Sequence, residues 1–340
     1  MFVTSAKQRS GLLVAIITGG RPKLKERPTA KFLQDLRDAG VADIVWVVSE
    51  KDAPHYELDG NDLAVYPMDW AEKYATEHWM NPEPYEPGNF FGAFVGREWA
   101  CLEAERRGCW GVMQLDDNII RLAAVKERKS GKTVIDNHNK LACIMDILAG
   151  ITLSTNGRIV GAQLGSVIIN QQLVSRPGFP YSCFIEQVGD GREHWYGPFE
   201  DDITHAFQYG TRADNATALV APMIRYSKES KSKSGMRSKY NHERAVQLQR
   251  IFPESAKLVV KNTKSNGVRG DGNARVFHQM GSGAIRNPQV IHDRELYQRV
   301  KEKLESLIRE HALESKKNNR EKMIHRAAGG KQVVGGSLFI

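Results

Sequence analysis

Two short acidic runs are the residues of this chain best suited to chemistry. The first, Asp116-Asp117-Asn118, closes the apolar run Gly111-Val112-Met113-Gln114-Leu115. Ligands of open α/β sheets bind outside the carboxyl ends of the strands, so neighbouring carboxylates there face a crevice. Side by side, two carboxylates raise each other's pKa unless a cation joins them. Hard oxygen ligands suit Mg²⁺ or Mn²⁺, metals that share their coordination with substrate phosphates. An Asx-type cap into the next segment is the structural alternative. The second run, Glu200-Asp201-Asp202, opens a helical stretch continuing through Ile203-Thr204-His205-Ala206. Acids at a helix start complement its dipole, which accounts for one or two of them. Three exceed what a cap needs, and a carboxylate here is suited to taking the proton of an acceptor hydroxyl.

The elements that must position these runs are legible as alternating strands and helices, the signature of a layered α/β sheet. Leu12–Ile17 is a continuous apolar run, hence a buried strand, and it feeds the loop Thr18-Gly19-Gly20-Arg21-Pro22. Phe32, Leu33 and Leu36 follow at helical spacing before Gly40. Ile44–Val48 and Leu63–Tyr66 are the next strands, and Phe94–Arg107 is the helix that leads to the strand ending at Asp116. Lys126–Lys132 reads as a turn, Lys140–Leu148 as a helix, Ile159–Asn170 as a strand region and Leu219–Ile224 as an extended segment. Ser227–Lys239 is too polar to pack and is expected to be mobile. Asn262–Arg275 reads as a loop and Glu295–Arg326 as a long, charged helix with a thin apolar stripe.

With 340 residues, 41% of them hydrophobic, the chain can bury one substantial α/β core. No apolar stretch reaches membrane-spanning length and no signal-peptide pattern follows the first one, so a cytoplasmic protein is expected. The four scattered cysteines lack zinc-site spacing and read as reduced thiols. The net charge of +8 concentrates in Arg225–Arg250, Lys257–Arg286 and the tail, where it suits phosphate-bearing partners or a solvated basic face.

The order of these features resembles the core of the GT-A glycosyltransferases, with a DxD-type motif at Asp116-Asp117-Asn118 and a later xED-type motif at Glu200-Asp201-Asp202. The resemblance spans roughly Leu12 to Met280 and rests on the order and spacing of short motifs. It implies a Rossmann-like mixed sheet flanked by helices over 1–290, with a donor half to about 125 and an acceptor half beyond. A basic helix and tail would make up 291–340. Thr18, Gly19 and Arg21 would line a nucleotide, Ser49 and Glu50 would touch its base or ribose, and Arg97 would contact the donor. Asp116 would meet the ribose side, while Asp117, Asn118 and His278 would hold Mn²⁺ or Mg²⁺. Asn118 departs from the aspartate of that third position. Asp201 fits the catalytic-base position, flanked by Glu200 and Asp202.

The resemblance therefore implies sugar transfer from a nucleotide sugar, with a UDP-sugar as the expected donor. The basic segments are similar to those of the TET/JBP-associated glycosyltransferases of phages, which implies a hydroxymethylated pyrimidine in DNA as acceptor and, if phage-encoded, the host cytoplasm as compartment. Lys231, Lys233 and Arg237 would then contact phosphates, and Trp195 would stack on a displaced base. A sugar nucleotidyltransferase is the enzymatic alternative, although Arg21-Pro22 stands where its Gly-rich triphosphate loop would continue. A non-catalytic nucleic-acid-binding α/β module is the other.

Overall fold

The computed structural model describes residues 2–41, 43–80, 93–128, 131–136, 140–165, 173–229, 241–262, 274–280 and 282–309. Four strands open the chain: β1 (Leu12–Ile17), β2 (Ile44–Ser49), β3 (Asp62–Tyr66) and β4 (Gly111–Asp116). They lie side by side in the order β3-β2-β1-β4, all parallel. β5 (Ile119–Arg128) and β6 (Gly131–Asp136) pair antiparallel, so the chain reverses within the expected turn, although its flanks Lys126–Arg128 and Gly131-Lys132 belong to the strands. β7 (Gly157–Leu164), β8 (Arg176–Pro177), β9 (Cys183–Gln187) and β10 (Thr217–Lys228) complete a ten-stranded mixed sheet. β9 runs antiparallel between β4 and β7. A separate hairpin joins β11 (Ala256–Asn262) to β12 (Ala274–Met280), so Ala274 and Arg275 are strand rather than loop.

Both faces of the sheet are covered, which explains why β1 and β2 are apolar without alternation. After the short α1 (Ala6–Ser10) that precedes β1, the helices α2 (Leu33–Asp38), α5 (Leu141–Ser154) and one over 294–309 pack beneath the sheet, meeting Leu12, Val14 and Ile16 of β1. On the opposite face α3 (Met68–Glu77), α4 (Phe94–Arg106), α6 (Asp201–Gly210) and α7 (Asn241–Ile251) meet Leu13, Ala15 and Ile17. The sheet alternation splits β1 evenly between the two cores.

The helix over 294–309 is less peripheral than its charge suggests. Val300, Leu304, Leu307 and Ile308 are buried in the lower core. Gly150 of α5 leaves no room for a Cβ against Val300, so this glycine admits the close approach. Among the described residues no helix is long and apolar enough to cross a membrane.

Candidate functional site

β1 and β4 are parallel neighbours with Ile17 opposite Asp116, while β1's sequence successor β2 lies on its other side. The connections after these strands therefore diverge, and a crevice is left outside their carboxyl ends. A cleft of about 640 Å³ occupies this place. Its walls are the loop from Thr18 to Arg21, the run Asp116-Asp117-Asn118, the start of α6 and the end of β10. Ser49, Asp52 and Tyr66 extend it along the ends of β2 and β3.

Arg97 is the hub. It is only 3% exposed on α4, next to Gly96, whose missing side chain lets the helix lie close against Ile17. Its Nη2 donates to Asp116 Oδ1 at 2.9 Å and its Nε to Asp201 Oδ2 at 3.2 Å. Nη1 is buried without an acceptor among the described residues. Lys228, at the last position of β10, donates to Asp116 Oδ2 at 2.9 Å and to Ser182 Oγ at 2.6 Å. Burial alone would raise the pKa of Asp116, but Lys228, Arg97 and the Ser182 hydroxyl hold it well below the usual carboxylate range.

The adjacent Asp117 has a different environment. Thr18 Oγ1 donates to its Oδ2 at 2.7 Å, and Arg21 pairs with its Oδ1. Burial outweighs these partners, and with repulsion from Asp116 it raises the group to about 6. The backbone of this turn is pinned by Thr29, whose hydroxyl donates to Asp116 O at 2.6 Å and accepts from Ile119 N at 2.9 Å. Asn118 Nδ2 reaches Glu229 O at 3.4 Å, and Glu229 N donates to Asn118 O at 2.8 Å, tying β4's turn to the end of β10.

The second acidic run opens α6. Glu200 sits in the left-handed region with φ 52°, a strained choice for a non-glycine residue, and Arg244 of α7 pairs with its carboxylate. Asp202 Oδ1 accepts from Ile203 N at 2.9 Å. Burial and the charge of Asp201 raise Asp202 to about 6, against the pull of Arg97 and Lys228. Burial also raises Asp201, opposed first by Arg97. Both feel the pull of the one Arg97 guanidinium.

The cleft thus gathers Thr18, Gly19, Arg21, Ser49, Arg97, Asp116, Asp117, Asn118, Glu200, Asp201 and Asp202 from the sequence-based expectations. Glu50 does not join its lining: it is exposed, and its carboxylate accepts from Met68 N at 3.2 Å. Trp195 is corrected most sharply. It is wholly buried, stacked on His205 at 3.8 Å, with Nε1 donating to Glu186 at 3.1 Å, so no base can stack on it. His278 lies on β12 opposite Leu258, in the separate hairpin, and its side chain is outside the described residues. Lys231, Lys233 and Arg237 also lie outside the described residues. Lys228, expected within a mobile segment, is instead strand-borne and part of the site. Ser182 and Arg244, like Asp52 and Tyr66, are lining residues that sequence reasoning did not find, and Lys228 was expected only as a phosphate contact. The apolar run preceding Lys228 was the available signal for it.

The carboxylates of Asp116 and Asp117 are spent on donors of the chain itself. All four carboxylate oxygens of Asp116 and Asp117 are already engaged by Arg97, Lys228, Thr18 and Arg21. Among the described residues no three His, Cys, Asp or Glu side chains converge as metal ligands. Asn118 Oδ1, buried and unpartnered, is a single neutral oxygen.

Among known proteins, no family model matches the chain. No curated protein matches it either. A solved structure described only as a mycobacterial protein shares 10% sequence identity and superposes with a TM-score of 0.43, covering 84% of this chain and 92% of its own. At that distance it says nothing about activity.

Proposed function

We propose that the cleft binds a nucleotide sugar and transfers the sugar to an acceptor hydroxyl. The observation that carries this reading is Asp202, raised to about 6 beside a cluster of Arg97, Lys228 and Arg21 at the switch point of the sheet. A base poised near neutrality and a group of cations are the parts that such a displacement needs. The acceptor oxygen attacks the anomeric carbon, and the bond from that carbon to the diphosphate oxygen breaks. The departing nucleoside diphosphate keeps the electron pair, and the acceptor proton passes to Asp202. A single displacement of this kind inverts the anomeric configuration.

Asp202 is the better base than Asp201, whose Oδ2 is already an acceptor for Arg97. Asp201 then orients the guanidinium, and Arg97 and Lys228 meet the diphosphate. No step is assigned to a metal. The nucleoside would lie towards Ser49 and Asp52, along the same crevice. For the acceptor, the net charge of +8 favours a polyanion, and a hydroxymethylated pyrimidine in DNA is the first one to try.

The test is a mass-spectrometric screen of nucleotide sugars against hydroxymethylated and plain DNA, scored by added hexose mass and released nucleoside diphosphate. Transfer of a sugar to either substrate supports the reading, and the difference between them reports the acceptor. Pyrophosphate release from a nucleoside triphosphate and a sugar phosphate, without transfer, would instead assign the cleft to nucleotidyl transfer.

A further inference from the structure

We propose that Lys228 takes the place of a divalent cation in this cleft, so that nucleoside diphosphate binds without metal. This rests on the transferase reading and adds the identity of the group that neutralises the diphosphate. A DxD-type turn ordinarily makes sense as a metal cradle, because adjacent buried carboxylates need a compensating cation. Here the compensation is covalent to the chain. Lys228 Nζ lies 2.9 Å from Asp116 Oδ2, and Arg97 Nη2 lies 2.9 Å from Asp116 Oδ1.

Two features make these groups suited to a ligand and not merely to each other. An ammonium carries three donors, and within the described residues Lys228 uses two, on Asp116 and Ser182. Its side chain is 29% exposed and lines the cleft. Arg97 lines the same cleft and leaves Nη1 without an acceptor among the described residues, an arrangement that is costly unless a ligand oxygen completes it.

The position of Lys228 is also built into the fold. β10 pairs with β5 and β7, with a register shift between Ser227 and Lys228, and Glu229 N is held by Asn118 O at 2.8 Å. Tyr226, two residues back, accepts from Ser182 N at 3.0 Å, which fixes the serine that Lys228 also contacts. A metal at Asp116 Oδ2 would have to displace an ammonium that is also held by Ser182 Oγ.

The experiment is calorimetric titration of the full chain with UDP, GDP, ADP, CDP and dTDP, in excess EDTA and separately with Mn²⁺. The wild type is expected to bind one of them with the same affinity in both conditions. Lys228→Ala is expected to lose on the order of tenfold to a hundredfold in EDTA, the scale of one hydrogen bond to a charged group. Added Mn²⁺ should restore much of that loss, because Asp116 is freed, whereas Lys228→Arg should stay close to wild type. Lys228→Met, matched in length, serves if the alanine variant fails to melt cooperatively. A wild type that loses more than tenfold in EDTA and recovers with Mn²⁺ overturns the proposal while leaving the transferase reading intact. Unchanged affinity of a folded Lys228→Ala in EDTA overturns it as well. Failure of every diphosphate to bind, with or without Mn²⁺, overturns the nucleotide-dependent reading itself and the role of Lys228 with it.

Discussion

Two carboxylates, the buried Glu186 and the half-buried Asp202, sit on neighbouring elements and have opposite characters. Glu186 of β9 is saturated. Its Oε1 accepts from His205 Nε2 at 2.6 Å and Tyr209 at 2.8 Å, and its Oε2 from Trp195 at 3.1 Å and Cys101 at 3.4 Å. Burial alone would raise it, but His205, Arg192 and Tyr209 hold it below the ordinary value. Asp202 has one backbone donor, an acidic neighbour and no side-chain hydrogen bond among the described residues, and it rises to about 6. The difference teaches that burial does not by itself make a carboxylate reactive. What matters is how many donors are spent on its charged form. The two are also linked: His205 and Tyr209 belong to α6, so the saturated carboxylate holds the helix that presents the poised one.

The comparison is broken most directly at Asp202. Asp202→Asn should keep donor binding and lose transfer by roughly 10²–10⁴ fold, the usual cost of a missing general base. It should not reduce thermal stability at neutral pH, because it removes a partly desolvated charge beside Asp201. Glu186→Ala should act the other way, costing about 3 kcal/mol of stability by leaving His205 and Tyr209 without their shared acceptor. Chemical denaturation alongside single-turnover transfer separates these outcomes. A destabilised Asp202→Asn or a fully stable Glu186→Ala would undo the contrast.

The pH dependence should follow the same division. Arg97, Lys228, Asp116 and Asp201 are the charged groups that act on Asp202, from α4, β10, β4 and its own helix. Because the folded value is raised, the ionised form is the costly one. Asp202 therefore contributes stability as the pH falls from above about 6 towards its unfolded value, while transfer is lost over the same window. Glu186, with its folded value depressed, contributes stability above its unfolded value and loses it as the pH falls through the folded one. A rate profile with no inflection near 6 in single-turnover conditions would remove Asp202 as the base. The smallest expected effect is at Trp195→Phe, which should cost about 1 kcal/mol by withdrawing one donor from Glu186, and should leave acceptor affinity unchanged. Weakened acceptor binding without loss of stability would return Trp195 to a contact role.

What the sequence by itself determined lies within short windows. Leu12–Ile17 and Ile44–Val48 are apolar on both faces, so they had to be covered strands, and Asp116 and Glu200 stand where local patterns end. Those signals are local because burial acts residue by residue along a strand or helix. They marked both acidic runs, and the structure gathers these runs, with most of the lining the resemblance implied, in one crevice. Partnership was decided only by the tertiary structure. Lys228 reaches Asp116 across 112 positions, and Arg97 reaches Asp201 across 104, because β9 is inserted between β4 and β7 and β10 follows. No periodicity in Cys183–Gln187 announced that insertion, since its alternate positions are buried on both faces and include Glu186. Trp195 shows the same division: an aromatic flanked by polar residues reads as exposed, yet the carboxylate of Glu186 gives its indole N–H an acceptor inside the core. Charge falls off slowly with distance but ignores chain order. Which cation meets which carboxylate was therefore settled by how the strands were laid side by side.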